Sequence, residues 1–125
     1  MKKKLIMAII GVFLVLALSF FLASGITGEA ESSRESFQMD GDVLMKYLGT
    51  DELVKIPGNV KIIASGAFED NDYIQKVILP NDLESIEYNA FTECNELMEI
   101  DIPDSVTKIG SAAFANCKSL CDVSI

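Results

Sequence analysis

The chain has 125 residues, room for one domain at most, with 10 basic and 19 acidic side chains, a net charge of −9 and no histidine. Such an acidic balance argues against a nucleic-acid partner, which needs clustered Lys and Arg. The missing histidine removes the common metal sites and nucleophile–base pairs.

The N-terminus reads as an export segment. Lys2, Lys3 and Lys4 precede a 19-residue run from Leu5 to Ala23 that is apolar apart from Gly11 and Ser19. A secretory core is typically about 7–15 residues and a spanning helix about 20, so residues 1–25 are predicted to be a hydrophobic helix acting as signal peptide or as membrane anchor. Ala23 and Gly25, or Gly28 and Ala30, are small enough for a cleavage site, and no cysteine near residue 25 suggests a lipid anchor. The lysines stay on the cytoplasmic side in both readings, which sends the rest of the chain outward. All 19 acids lie after residue 25 with only seven of the basic residues, a net charge of −12 for the exported part. Protease added to intact protoplasts is expected to digest it.

Residues 26–36, polar and nearly free of large apolar groups, read as a disordered linker. Over residues 37–53, Asp40-Gly41 offers a turn, Val43–Leu48 an apolar strand and "GTD" a second turn, and a short strand is expected from Leu53 to Ile56. This segment is read as a β-hairpin cap.

From Val54 to the C-terminus the chain is periodic. "VKIPGNVKIIASGAFEDNDYIQK", "VILPNDLESIEYNAFTECNELME" and "IDIPDSVTKIGSAAFANCKSLCD" begin at 54, 77 and 100, and a fourth unit starts at Val123. Pro57, Pro80 and Pro103 align, as do Ile63, Ile86 and Ile109, the pairs Ala67-Phe68, Ala90-Phe91 and Ala113-Phe114, and Ile74, Leu97 and Leu120. A strict 23-residue period without insertions means a solenoid, in which each unit is one coil. One coil buries too few side chains to offset the entropy of ordering its backbone, so coils must stack. The phenylalanines then pile into a column, and the alanines beside them leave it room. The fold class expected is a β-rich solenoid of three full coils and a partial fourth over residues 54–125.

"NDYIQKVILP", "CNELMEIDIP" and "CKSLCDVSI", the first two leading into an Ile…Ala-Phe segment, resemble the leucine-rich repeat of the BspA type, a 23-residue class of bacterial surface proteins. "DGDVLMKYLGTDELVKIP" is similar to the lead-in that often precedes such repeats. The resemblance covers residues 37–125 and implies an extracellular or surface-displayed binding protein, with host proteins, other bacteria or glycans as ligands. Asn71 stands where the other two repeats carry Cys94 and Cys117, a substitution the resemblance allows.

Within each coil, Ile74, Val77, Leu79, Leu97, Ile100, Ile102, Leu120, Val123 and Ile125 are expected to point inward. The intervening residues then form the candidate binding face, with Lys55, Lys76 and Ile78 toward one end and Glu99, Asp101, Asp122 and Ser124 toward the other. A plainer reading pairs Lys76 with Glu99 as a lateral ion pair between rungs. Cys94 and Cys117 are expected as buried thiols on adjacent rungs, poorly placed for a disulfide, and Cys121 as the most reactive. Catalytic readings fare badly: "SVTK" at 105–108 has serine–lysine spacing but no partner motif, and "DGD" and "EDND" continue into no calcium loop. No cofactor or metal is expected.

Two functions compete: a surface recognition module for a protein or glycan, without catalysis, or a structural spacer or truncated piece of a longer repeat protein. Because Ile125 completes only one strand of a fourth coil, association through an open C-terminal edge is also expected, with marginal stability for residues 26–125.

Overall fold

The structure, a computed structural model, describes residues 36–125, so the apolar N-terminal run and the linker as far as residue 35 lie outside the described residues. Nine short strands follow in order: β1 (Phe37–Asp40), β2 (Val43–Tyr47), β3 (Leu53–Lys55), β4 (Ile62–Ile63), β5 (Lys76–Ile78), β6 (Ser85–Ile86), β7 (Glu99–Asp101), β8 (Lys108–Ile109) and β9 (Asp122–Ser124). Among the described residues no helix is long and apolar enough to cross a membrane.

The strands form two sheets, ordered β1-β2-β4-β6-β8 and β3-β5-β7-β9. Every pairing is parallel except β1 with β2. The chain therefore visits both sheets once per coil, and the register steps by 23 residues: Val54, Val77, Ile100 and Val123 are successive rungs of one sheet, and Ile63, Ile86 and Ile109 of the other. The sequence pattern singled out the strands of the second sheet. It marked Ile63, Ile86 and Ile109 as aligned without assigning them to a sheet of their own, because two-residue strands are too short to show an alternating period.

Two corners close each coil. Proline cannot donate to a ladder and so ends the strand region; Pro57, Pro80 and Pro103 instead accept at their carbonyls from the N–H of Val60, Leu83 and Val106, at 3.1, 3.2 and 3.1 Å. The other corner carries the Ala-Phe pair and needs left-handed backbone twice per coil. Gly66, Asn89 and Ala112 have φ of 64°, 56° and 57°, and Asp70, Glu93 and Asn116 have 61°, 60° and 58°. Glycine, asparagine and aspartate tolerate this region, whereas an alanine pays for it. Ala112→Gly is therefore expected to stabilise the chain by about 1 kcal/mol, read as a raised Tm in thermal melts; an unchanged or lowered Tm would contradict the strain.

The Ala-Phe corners are bonded coil to coil. Gly66, Phe68 and Asp70 donate N–H to the carbonyls of Tyr88, Ala90 and Thr92 at 3.1, 2.8 and 3.0 Å, and Asn89, Phe91 and Glu93 repeat the pattern toward Ser111, Ala113 and Ala115. Inside this corner the rings stack as expected, with centroids 4.7 Å apart for Phe68–Phe91 and 5.3 Å for Phe91–Phe114. The column is longer than its repeat. Tyr47 stacks on Phe68 at 5.3 Å and Phe37 packs on Tyr47 at 5.0 Å. The period missed Tyr47 because it lies 21 residues before Phe68 rather than 23.

Two local expectations are corrected. The tight turn between β1 and β2 is Gly41-Asp42, flanked by the pair Asp40↔Val43, rather than Asp40-Gly41. Gly41, with φ of 63° at the first loop position, is what a two-residue turn of type II′ requires. The expected strands at Val43–Leu48 and Leu53–Ile56 each stop one residue earlier.

The last rung is open. Val123 is in register with buried Ile100 but 41% exposed, Ile125 is 89% exposed, and Leu120 is only half-buried. Ile109 is likewise 45% exposed although Ile63 and Ile86 are fully buried. Burial in a solenoid needs a neighbour on both sides, and these side chains have one.

Candidate functional site

On the sheet β3-β5-β7-β9, alternation divides each three-residue strand into one inward and two outward side chains. Val54, Val77 and Ile100 point inward and are at most 2% exposed. The outward side chains form two rows across the rungs: Leu53, Lys76, Glu99 and Asp122 in one, Lys55, Ile78, Asp101 and Ser124 in the other. All seven residues singled out from the sequence lie in these rows. Leu53 was missed, though it is 58% exposed and lies 23 residues before Lys76, which was signal enough.

The face is charged unevenly. Lys55 and Lys76 lie on the first two rungs, Glu99, Asp101 and Asp122 on the last two. Lys76 Nζ meets Glu99 Oε1 at 2.6 Å, the lateral pair the plainer reading required. That hydrogen bond holds the Lys76 ammonium above its ordinary range, but both side chains are about two-fifths exposed and the contact contributes little to stability. Elsewhere Lys61 pairs with Glu84 at 2.8 Å and Lys108 with Glu87 at 2.8 Å. Lys108 and, next, Ser85 depress the Glu87 carboxyl.

Beside the face, where the first two coils turn at their prolines, runs an open groove of about 350 Å³. Lys55, Gly58, Ile78, Pro80, Asn81 and Asp82 are among the residues that line it.

A polar column explains the Asn-for-Cys exchange. Cys94 Sγ and Cys117 Sγ donate to the carbonyls of Phe68 and Phe91 at 3.1 and 3.0 Å, and Asn71 Nδ2 does the same to Gly49 at 3.1 Å. Asn71 Oδ1 also accepts from the N–H of Tyr73 and Ile74. The position needs a donor to the preceding coil, and either side chain supplies one. Cys94 is buried as expected, whereas Cys117, expected buried, is only half-buried, and Cys121 is exposed. Alkylation of the native chain is expected to label Cys121 first and Cys94 last. Among the described residues no cluster of Cys, Asp and Glu could hold a metal ion.

Burial pushes the Cys94 thiol from its ordinary 9.0 up to about 12. Burial first, then the hydrogen bond to Asp51, raises the Tyr47 phenol from 10.0 to about 12. Both groups are held neutral in the folded state, so their contribution is full below the unfolded values and is lost as pH climbs from about 9 through about 12. Denaturant midpoints measured from pH 8 upward should fall, and Cys94→Ser should flatten the part of the fall that begins near 9. A variant with an unchanged profile would exclude Cys94 as its source.

The fold and the open face define a parallel β-solenoid of about four turns that presents an uninterrupted outward sheet surface, the leucine-rich-repeat class of scaffold. The family model for the BspA type leucine rich repeat region matches residues 47–125 in six copies, and the chain belongs to that family. Among solved structures it is similar to the pneumococcal vaccine antigen PcpA, with 26% identity and a TM-score of 0.56 over 70% of this chain. The chain spans 28% of the length of that structure. A leucine-rich repeat protein of T. pallidum aligns with 20% identity and a TM-score of 0.41, covering 71% of this chain and 68% of that one. No curated protein matches the sequence.

Proposed function

We propose that the chain is an extracellular or surface-displayed recognition module that binds a protein through the outward rows of β3-β5-β7-β9 and carries out no catalysis. The observation that carries this reading is a division of labour within three-residue strands. Val54, Val77 and Ile100 are used up by the core, while Lys55, Ile78, Asp101 and Ser124 form a continuous outward row whose charged members make no ion pair among the described residues. Solenoids are scaffolds whose exposed positions set binding, so a varied, charged row is where recognition is built. The likeness to a vaccine antigen and the export segment read at residues 1–25 support display outside the cell. The β1–β2 hairpin serves as the cap at the start of the stack.

A spacer role is the second reading, and the Lys76–Glu99 pair favours it for those two residues. Photo-cross-linking on intact cells separates the two. A photoreactive residue at Asp101 should give a discrete adduct, and one at exposed Tyr88, outside both outward rows, should not. Equal adducts at both positions, or none at either, would favour the spacer.

A further inference from the structure

We propose that the groove between the first two coils anchors an extended segment of a partner protein that presents, in that order along one face, an acidic, an apolar and a basic residue. The inference rests on the reading of the outward rows as the binding face and specifies what that face takes.

The anchor is Lys55. Lys61 and Lys76 each meet a glutamate 23 residues further on, but the rung neighbour of Lys55 is Ile78. Lys55 makes no ion pair among the described residues. Lys55 lines the groove with the 40% exposed Ile78, a cation and an apolar surface in adjacent rungs. Rungs lie about 4.8 Å apart, and in an extended segment the side chains that share a face are two residues, about 6.6 Å, apart, so an acidic residue at Lys55 and an apolar residue two positions on at Ile78 lie on one face of it. Asn81 and Asp82, also in the lining, carry side-chain acceptors for N–H groups of the segment.

Charge sets the direction. Beyond Ile78 the same row continues to Asp101, with Glu99 and Asp122 in the other row. Glu99 is already engaged by Lys76, but Asp101 and Asp122 form no ion pair. A segment crossing the rungs with its acidic side chain on Lys55 brings the residue about four positions on, on the same face, over these carboxylates, where a basic side chain is favoured. An all-acidic segment would meet the net charge of −9 and be repelled.

Gly58 lines the groove. A Cβ built there meets nothing within 4 Å, and its φ lies outside the left-handed region, so a larger residue enters the groove without straining the backbone. Gly58→Leu is thus a blocking variant that leaves the fold intact.

The test uses the full-length chain and short peptides blocked at both ends, read by fluorescence anisotropy. The probes are an acidic–apolar–basic peptide, its charge-reversed form, an all-acidic form, and one with the apolar residue replaced by glycine. The first is expected to bind most tightly, with Lys55→Glu and Gly58→Leu each weakening it about tenfold or more at unchanged Tm. Lys55→Glu should also invert the preference between the charge-reversed pair. Binding lost in Asp101→Lys but untouched by Lys55→Glu and Gly58→Leu would overturn the groove and leave the binding face standing. Binding of no peptide, or of all four alike, would overturn the groove too, and the cross-linking experiment alone then judges the face.

Discussion

Phe91→Ala is expected to destabilise the chain by about 3–5 kcal/mol, the range for truncating a fully buried aromatic ring. Phe91 is 0% exposed and is stacked on both faces, at 4.7 Å by Phe68 and at 5.3 Å by Phe114. Its removal leaves a cavity that closes poorly, because the flanking corners are tied by Phe68 N–H to Ala90 O and Phe91 N–H to Ala113 O. Phe114→Ala, at the half-buried end of the column, should cost clearly less. Urea denaturation of the three proteins checks the order. Equal costs for Phe91 and Phe114 would mean that the column is not what couples the coils.

The second large effect is a contrast between neighbours. Ile100→Lys should cost about 3–5 kcal/mol or abolish folding, because it places an unpaired charge in the inward row. Asp101→Lys, one residue on and facing outward, should leave Tm nearly unchanged. A domain of this size has only about 5–15 kcal/mol in hand, so the first variant approaches the whole of it. Circular dichroism melts decide the matter: similar losses in both variants would contradict the register of β7.

The repeat was legible because stacking forces the same apolar residue types to recur at one spacing. Ile63, Ile86 and Ile109, or Phe68, Phe91 and Phe114, read out as rows before any coordinate is known. Tyr47 was hidden by a two-residue change of spacing where the chain passes from the β1–β2 hairpin into the first coil. At the last rung Val123 falls in register with inward Ile100 and yet is exposed, since alternation says which way a side chain points and not whether anything lies over it. The outward rows of the candidate face were legible almost completely, because in a three-residue strand the face follows from the inward residue. The groove was not. Gly58, in its lining, aligns with Asn81 and Asp104 and so has no periodic signature.

The most direct test of the division between inward and outward rows is a mutational scan of residues 53–55, 76–78, 99–101 and 122–124 on surface-displayed full-length chain. Each variant is scored twice, for the amount of folded protein displayed and for the yield of the partner adduct formed through a photoreactive residue, placed at Asp101 or, for variants of that residue, at Ser124. Display should fall at Val54, Val77 and Ile100, and adduct yield per displayed chain should fall at Lys55, Ile78, Asp101 and Asp122. Loss of both scores at the same positions, or an adduct yield indifferent to every outward substitution, would contradict the account.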